Sequence, residues 1–189
     1  MFPDTLEDLF LTEGEEDTAG GEYERHGRYL DRCRRVRLSP SVVVVFENAR
    51  TLQFRVQELA RVARYVGTSG VSRELRWYRS LLPARDRLLA SVTVRDRDRG
   101  PAGVDGRVYL RAGDHAVPGL FLAHAAGDRI IGHVRWAEFH FTPDDLAAVA
   151  DPFAELVLGY EGAGLRHEAR LDPPVRTSLL ADLGLPDGN

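Results

Sequence analysis

The sequence predicts an α+β fold, with N-terminal helices packed on a largely antiparallel β-sheet in a single domain over residues 22–189. Two observations predict it. Helical apolar spacing is concentrated before residue 80, and short alternating runs separated by turn residues dominate after it. Helices early and strands late argue against a parallel βαβ arrangement. The chain has 189 residues and 43% hydrophobic content, enough for one sizeable core.

Residues 1–21 read as a flexible acidic tail. TEGEEDTAGG lacks apolar periodicity, and from Asp4 to Glu24 the chain carries acidic residues and no basic one. EYERHGRYLDRCRRVRL (22–38) reads as a basic helix stopped by Ser39-Pro40. Val42 to Phe46 is a continuous apolar run, expected to be a strand covered on both faces. Asn48 is the N-cap of a helix from about Ala49 to Val66, ended by Gly67. A further helix is expected over 71–80. Strands are expected at 88–96, 106–112, 117–125, 128–142 and 153–161, with 165–172 pairing back across Gly162-Ala163-Gly164. Thr142-Pro143-Asp144-Asp145 opens a short helix, and TSLLADLG (177–184) forms another.

The helix over 49–66 has two faces. Leu52, Val56, Leu59, Ala63 and Val66 form one narrow apolar stripe at 100° per residue. Arg50, Phe54, Gln57, Arg61 and Tyr65 lie opposite, with Glu58 beside them. Aromatics among polar groups mark this face either as a contact surface or as the wall of a polar pocket. The candidate pocket or interface comprises Glu24, Arg28, Arg35, Glu47, Asn48, Arg50, Phe54, Gln57 and Glu58. Two carboxylates beside arginine can do acid/base work or hold an anion. The competing structural reading is an internal salt-bridge network that fixes geometry without chemistry.

Other chemistry is thinly represented. The chain has no lysine, which removes Schiff-base catalysis and the Gly-Lys-Ser/Thr phosphate loop. A GC-rich genome accounts for the arginine preference. Cys33 is the one cysteine and reads as a helix residue. His133 and His140 are seven apart on one expected strand and point to opposite faces. His26 reads as a surface histidine. Asp96, Asp98 and Gly100 imitate the start of a calcium loop, but Pro101 and the missing closing glutamate break it. No metal or cofactor is expected. The basic helix could meet phosphates, but the net charge of −4 and the absence of an aromatic platform argue against nucleic acid. No run approaches the length of a membrane span, and acidic residues stand where a signal peptide would be basic, so a cytoplasmic location is expected. A second copy of the chain is a candidate partner, covering a sheet edge or the aromatic-bearing helix face.

Tyr23-Glu24, Arg34-Arg35-Val36, Leu38-Ser39-Pro40, Phe46-Glu47-Asn48, Thr51, Gln57-Glu58, Glu74-Leu75, Tyr78 and Leu81-Leu82-Pro83 carry a resemblance. Over residues 22–95 the chain resembles the bacterial family called domain of unknown function 3501. The resemblance implies a genomic setting beside rubrerythrin-like proteins and iron–sulfur subunits similar to those of heterodisulfide reductases. It therefore implies a role, as an accessory protein or protein partner, in redox or oxidative-stress metabolism, and no particular reaction. Cys33 and Ala49 stand where the family pattern has basic residues, and a C-terminal histidine motif is absent. An activity using those groups does not carry over. Two alternatives stay open beside the accessory role: an enzyme, with or without a metal, using Glu47 and Glu58 as base or ligands, and an anion or nucleic-acid binder centred on Arg28, Arg34 and Arg35.

Overall fold

The structure is a computed structural model describing residues 19–66, 77–78, 80–81, 86–94, 106–122, 134–162 and 164–186. The expected helix over 71–80 lies mostly outside these residues. So do residues 1–18 of the acidic tail, the calcium-like loop, His133, and the side chains of Leu59, Arg61, Ala63, Tyr65 and Val66.

The elements in order are α1 (Ala19–Cys33), β1 (Arg35–Arg37), β2 (Val42–Glu47), α2 (Ala49–Val66), β3 (Arg87–Val94), β4 (Arg107–Ala112), β5 (His115–Phe121), β6 (Val134–His140), α3 (Pro143–Ala150), β7 (Leu156–Gly162), β8 (Leu165–Arg170) and α4 (Pro173–Asp182). They fall into two compact units. One holds α1 up to Tyr29 and the segment Glu47–Pro83; the other holds Leu30–Phe46 and the chain from Ala84 onward.

The second unit contains the sheet. Its eight strands run in the order β1-β2-β3-β6-β5-β4-β7-β8 and curl into a nearly closed barrel. The β1–β2, β3–β6, β6–β5, β5–β4, β4–β7 and β7–β8 pairings are antiparallel, as the sequence predicts. Alternation places every second residue in the core: Val42, Val44 and Phe46 of β2, Leu88, Ala90 and Val92 of β3, Val108 and Leu110 of β4, Leu158 and Tyr160 of β7. The Phe46 and Phe139 rings meet at 6.0 Å. Leu179 and Leu180 of α4 and Leu183 just after it belong to the same cluster.

Five expectations need correction. Helices are not confined to the N-terminal part, because α3 and α4 both belong to the sheet-bearing unit. The helix expected to reach residue 38 ends at Cys33, and Arg35-Val36-Arg37 becomes a strand. The valine run explains this: Val43, Val44 and Val45 pair with Arg37, Val36 and Arg35, burying Val36 and turning the arginines outward. Ser39 makes the turn, its hydroxyl oxygen accepting from the Val42 and Ser41 N–H groups at 3.0 and 3.2 Å. The valine run itself alternates, with Val43 and Val45 only half-buried rather than fully covered. In β3 the reverse holds, for Leu89 and Ser91 are buried along with the expected face. The last helix also starts early, at Pro173-Pro174, where prolines lack only donors that a first turn leaves unused.

Candidate functional site

In the other unit, the site grows from the corner between β2 and α2. Asn48 caps the helix as its sequence position predicts. The Thr51 N–H donates to Asn48 Oδ1 at 3.1 Å, and the Asn48 N–H donates to Thr51 Oγ1 at 2.9 Å. This reciprocal pair satisfies two backbone donors that a helix start otherwise orphans. The same Asn48 side chain reaches α1, its Nδ2 donating to the Tyr29 hydroxyl at 3.1 Å. Arg50 lies over the Tyr29 ring, 4.0 Å from its centroid, in cation–π geometry.

Glu47, the last residue of β2, is buried. Its Oε1 accepts from Arg55 Nε at 3.1 Å and from Arg55 Nη2 at 2.5 Å. Burial, the largest influence on the Arg55 guanidinium, works against its charge. The Glu47 carboxylate, by attraction and hydrogen bonding, and the neighbouring Tyr78 outweigh it and hold the guanidinium above its ordinary value. Arg55 is thus an ionic partner of Glu47.

The aromatic part of the face is covered by α1. Phe54 stacks on the His26 imidazole, with centroids 3.7 Å apart and planes 10° apart, and meets Tyr23 edge-on at 5.2 Å. His26 is therefore buried rather than on the surface, because Phe54 offers it a flat apolar ring. Leu52 and Val56 are fully buried, as the apolar stripe predicts.

The remaining candidates disperse. Glu24 and Arg28 pair with each other at 3.3 Å on the exposed side of α1. Arg35 pairs with Asp31 in the sheet-bearing unit, so the contacts do not place it in the Glu47 cluster. Gln57 and Glu58 are half-buried on α2, and among the described contacts none joins Glu58 to Glu47. Arg34 forms a two-pronged ion pair with Asp182 within the sheet-bearing unit. Among the described residues no three His, Cys, Asp or Glu side chains gather in a way that could hold a metal ion.

Sequence reasoning missed Arg55, Thr51, Tyr29 and the burial of His26. The signal for α1 was present: Tyr23, His26 and Tyr29 recur every three residues and give the helix an aromatic edge. Arg55 carried no such signal, because its register against Glu47 depends on how the strand feeds the helix.

An eight-stranded, largely antiparallel sheet with helices in one unit, and a buried acid–arginine pair in the other, define an α+β protein. The profile of the family described as Protein of unknown function (DUF3501) matches residues 22–183. The chain belongs to this family, and the match extends through the later strands as well as the N-terminal motifs. No curated protein matches. The crystal structure of a protein of unknown function from Burkholderia pseudomallei is similar in fold, with a TM-score of 0.73, 22% identity, and 95% of each chain covered. No described helix is long and apolar enough to cross a membrane.

Proposed function

We propose that this protein is a non-catalytic, cytoplasmic accessory component of a bacterial redox or oxidative-stress module, binding a rubrerythrin-like or iron–sulfur protein through the α1–α2 surface. One observation carries the non-catalytic part. The carboxylate expected to act as a base, Glu47, is buried and engaged by Arg55, in a corner where Asn48, Thr51 and Tyr29 also bond one another. Such a network supports a role in fixing geometry. The surface above it supports docking: Tyr23 is 42% exposed and braced edge-on by Phe54, with Glu24, Arg28 and Arg50 exposed around it. Tyrosine and arginine are the residues on which interface energy concentrates. The identity of the partner class rests on the family resemblance.

Titration of the purified protein with a rubrerythrin-like protein and an iron–sulfur subunit of the same organism tests the reading. Binding should weaken at least about tenfold, or about 1.4 kcal/mol, in Tyr23→Ala and Arg28→Glu, with melting temperature unchanged. Binding to neither class sinks the partner assignment. Stoichiometric iron, zinc or manganese in protein purified without chelators would instead favour a metal-assisted enzyme. Salt-sensitive retention on heparin, lost in Arg28→Ala with Arg35→Ala, would favour an anion binder.

A further inference from the structure

The strand order ends on β8, and among the described residues no strand pairs with its far side. An edge of this kind presents backbone N–H and C=O groups to any chain that can pair with it. The β7–β8 ladder decides which groups are presented. The Leu171 N–H donates to the Leu156 carbonyl at 2.8 Å, and the next pair in register is Val157 with Arg170. Bonded and non-bonded pairs alternate in an antiparallel ladder, so Leu165, His167 and Ala169 bond to β7. Arg166, Glu168 and Arg170 therefore turn their backbone groups outward, and all three residues are exposed.

The side chains of these residues are ordered by charge. Arg107, Glu161 and Arg166 stand in one row across β4, β7 and β8. Glu161 accepts from Arg107 Nε at 2.7 Å and lies 3.4 Å from Arg166 Nε, so the row reaches the edge on a cation. The next row, Tyr109, Gly159 and Glu168, reaches it on an anion. Arg166 also donates to Glu168 at 3.1 Å, so the pair is neutral as a whole. Charges on an edge strand commonly deter pairing. Here they deter it selectively. Arg166 and Glu168 flank His167 with opposite signs, and a strand of that order matches an antiparallel copy of itself.

We propose that two copies of this chain pair β8 against β8 about a two-fold axis at His167, joining their sheets edge to edge. Arg166 of each copy then stands opposite Glu168 of the other, and the four charges alternate around a square. The outward N–H and C=O groups of both residues exchange hydrogen bonds across the axis. Leu165 faces Ala169 on the opposite side of the sheet. A two-fold axis at Glu168 would set that carboxylate against itself and Arg166 against Arg170, which selects the His167 register. The contact is isologous and closes at two copies. It is independent of the α1–α2 docking surface.

Sedimentation velocity and amide hydrogen exchange on the full chain, at about pH 8 where imidazoles are neutral, test it. Mass should rise with concentration from monomer to dimer and no further. The Arg166 and Glu168 amides should exchange at least about tenfold more slowly in the dimer, with the His167 amide unchanged because β7 already holds it. Arg166→Glu and Glu168→Arg each set like charges face to face. Each variant should keep its melting temperature and stay monomeric where the wild type is mostly dimeric. Mixed in equal amounts, they should form a heterodimer, since the glutamates of one then meet the arginines of the other. A wild-type chain still monomeric at about 1 mM overturns the proposal. So does a dimer in which the Arg166 and Glu168 amides exchange as in the monomer, or a mixture of the variants that does not pair.

Discussion

Glu47 and Arg55 illustrate how a single buried carboxylate constrains its surroundings. With Arg55 present, attraction and two hydrogen bonds offset the cost of taking the Glu47 carboxylate out of water. Replacing Arg55 by alanine removes this partner from a buried acid. The expected loss is about 3 kcal/mol, read as a lower denaturation midpoint in urea. Glu47→Met with Arg55→Met should recover much of it, since an apolar pair of similar shape leaves no buried charge or amide to desolvate. Non-additivity of the two changes in a double-mutant cycle would establish the coupling, and independent effects would deny it. Glu47, Asn48 and the half-buried Phe54 could be picked out from the sequence, because a strand end, a cap and an aromatic off the apolar stripe are local signals. What covers Phe54 was not visible, since stacking on His26 depends on how α1 lies against α2.

At the scale of elements, α3 shows sequence and structure agreeing in detail. Thr142 accepts from the Asp145 N–H at 3.2 Å, and Asp145 Oδ2 accepts from the Thr142 N–H at 2.9 Å. The hydrogen bond from the Thr142 side chain is the largest influence on Asp145; burial opposes it, and the Thr142 backbone and His115 add to it. The net result holds the carboxyl below its ordinary value. A depressed folded-state value means the stabilisation is complete above about pH 4 and is lost as pH falls through that lower value. Asp145→Ala should cost about 1 kcal/mol at neutral pH and flatten the acid limb of the melting-temperature profile. An acid limb identical to the wild type would show that the cap does not carry this dependence. On the outer face of β4 and β7, Tyr109 lies over Gly159, where an added Cβ would stand 2.2 Å from the ring. Its hydroxyl donates to Glu168 Oε1 at 2.6 Å. Burial first, and then Glu168, hold the phenol above its ordinary value. Gly159→Ala should push the ring aside and bring the phenol's ultraviolet titration back toward about pH 10. The strand-breaking cost was legible in Gly159 only as a glycine inside a strand pattern; that Tyr109 occupies the space follows from the β4–β7 register.

At the scale of the whole molecule, the sequence conveyed the class and misplaced the helices. Alternating runs after residue 87 exposed most strands, because a half-buried strand writes its period into the chain. Strand order was not legible: β6 lies between β3 and β5, and β4 between β5 and β7, through contacts that no local pattern encodes. The short β1 was hidden because RCRRVRL has helical composition, and only its pairing with the valine run makes it a strand. Arg34, buried at the head of this strand, is tied to Asp182 at the end of α4. Arg34→Ala should lower the urea midpoint by the equivalent of about 3 kcal/mol, and Asp182→Asn by less, since an amide still accepts from the guanidinium. Equal stability in Arg34→Ala and the parent would remove this pair from the account.

The Arg34–Asp182 bond joins residues separated by 148 positions. On a ribosome, then, the guanidinium emerges long before its counter-ion is translated. A nascent chain halted before α4 should keep β1 accessible to proteases or chaperones, and protection should appear there only once α4 has emerged.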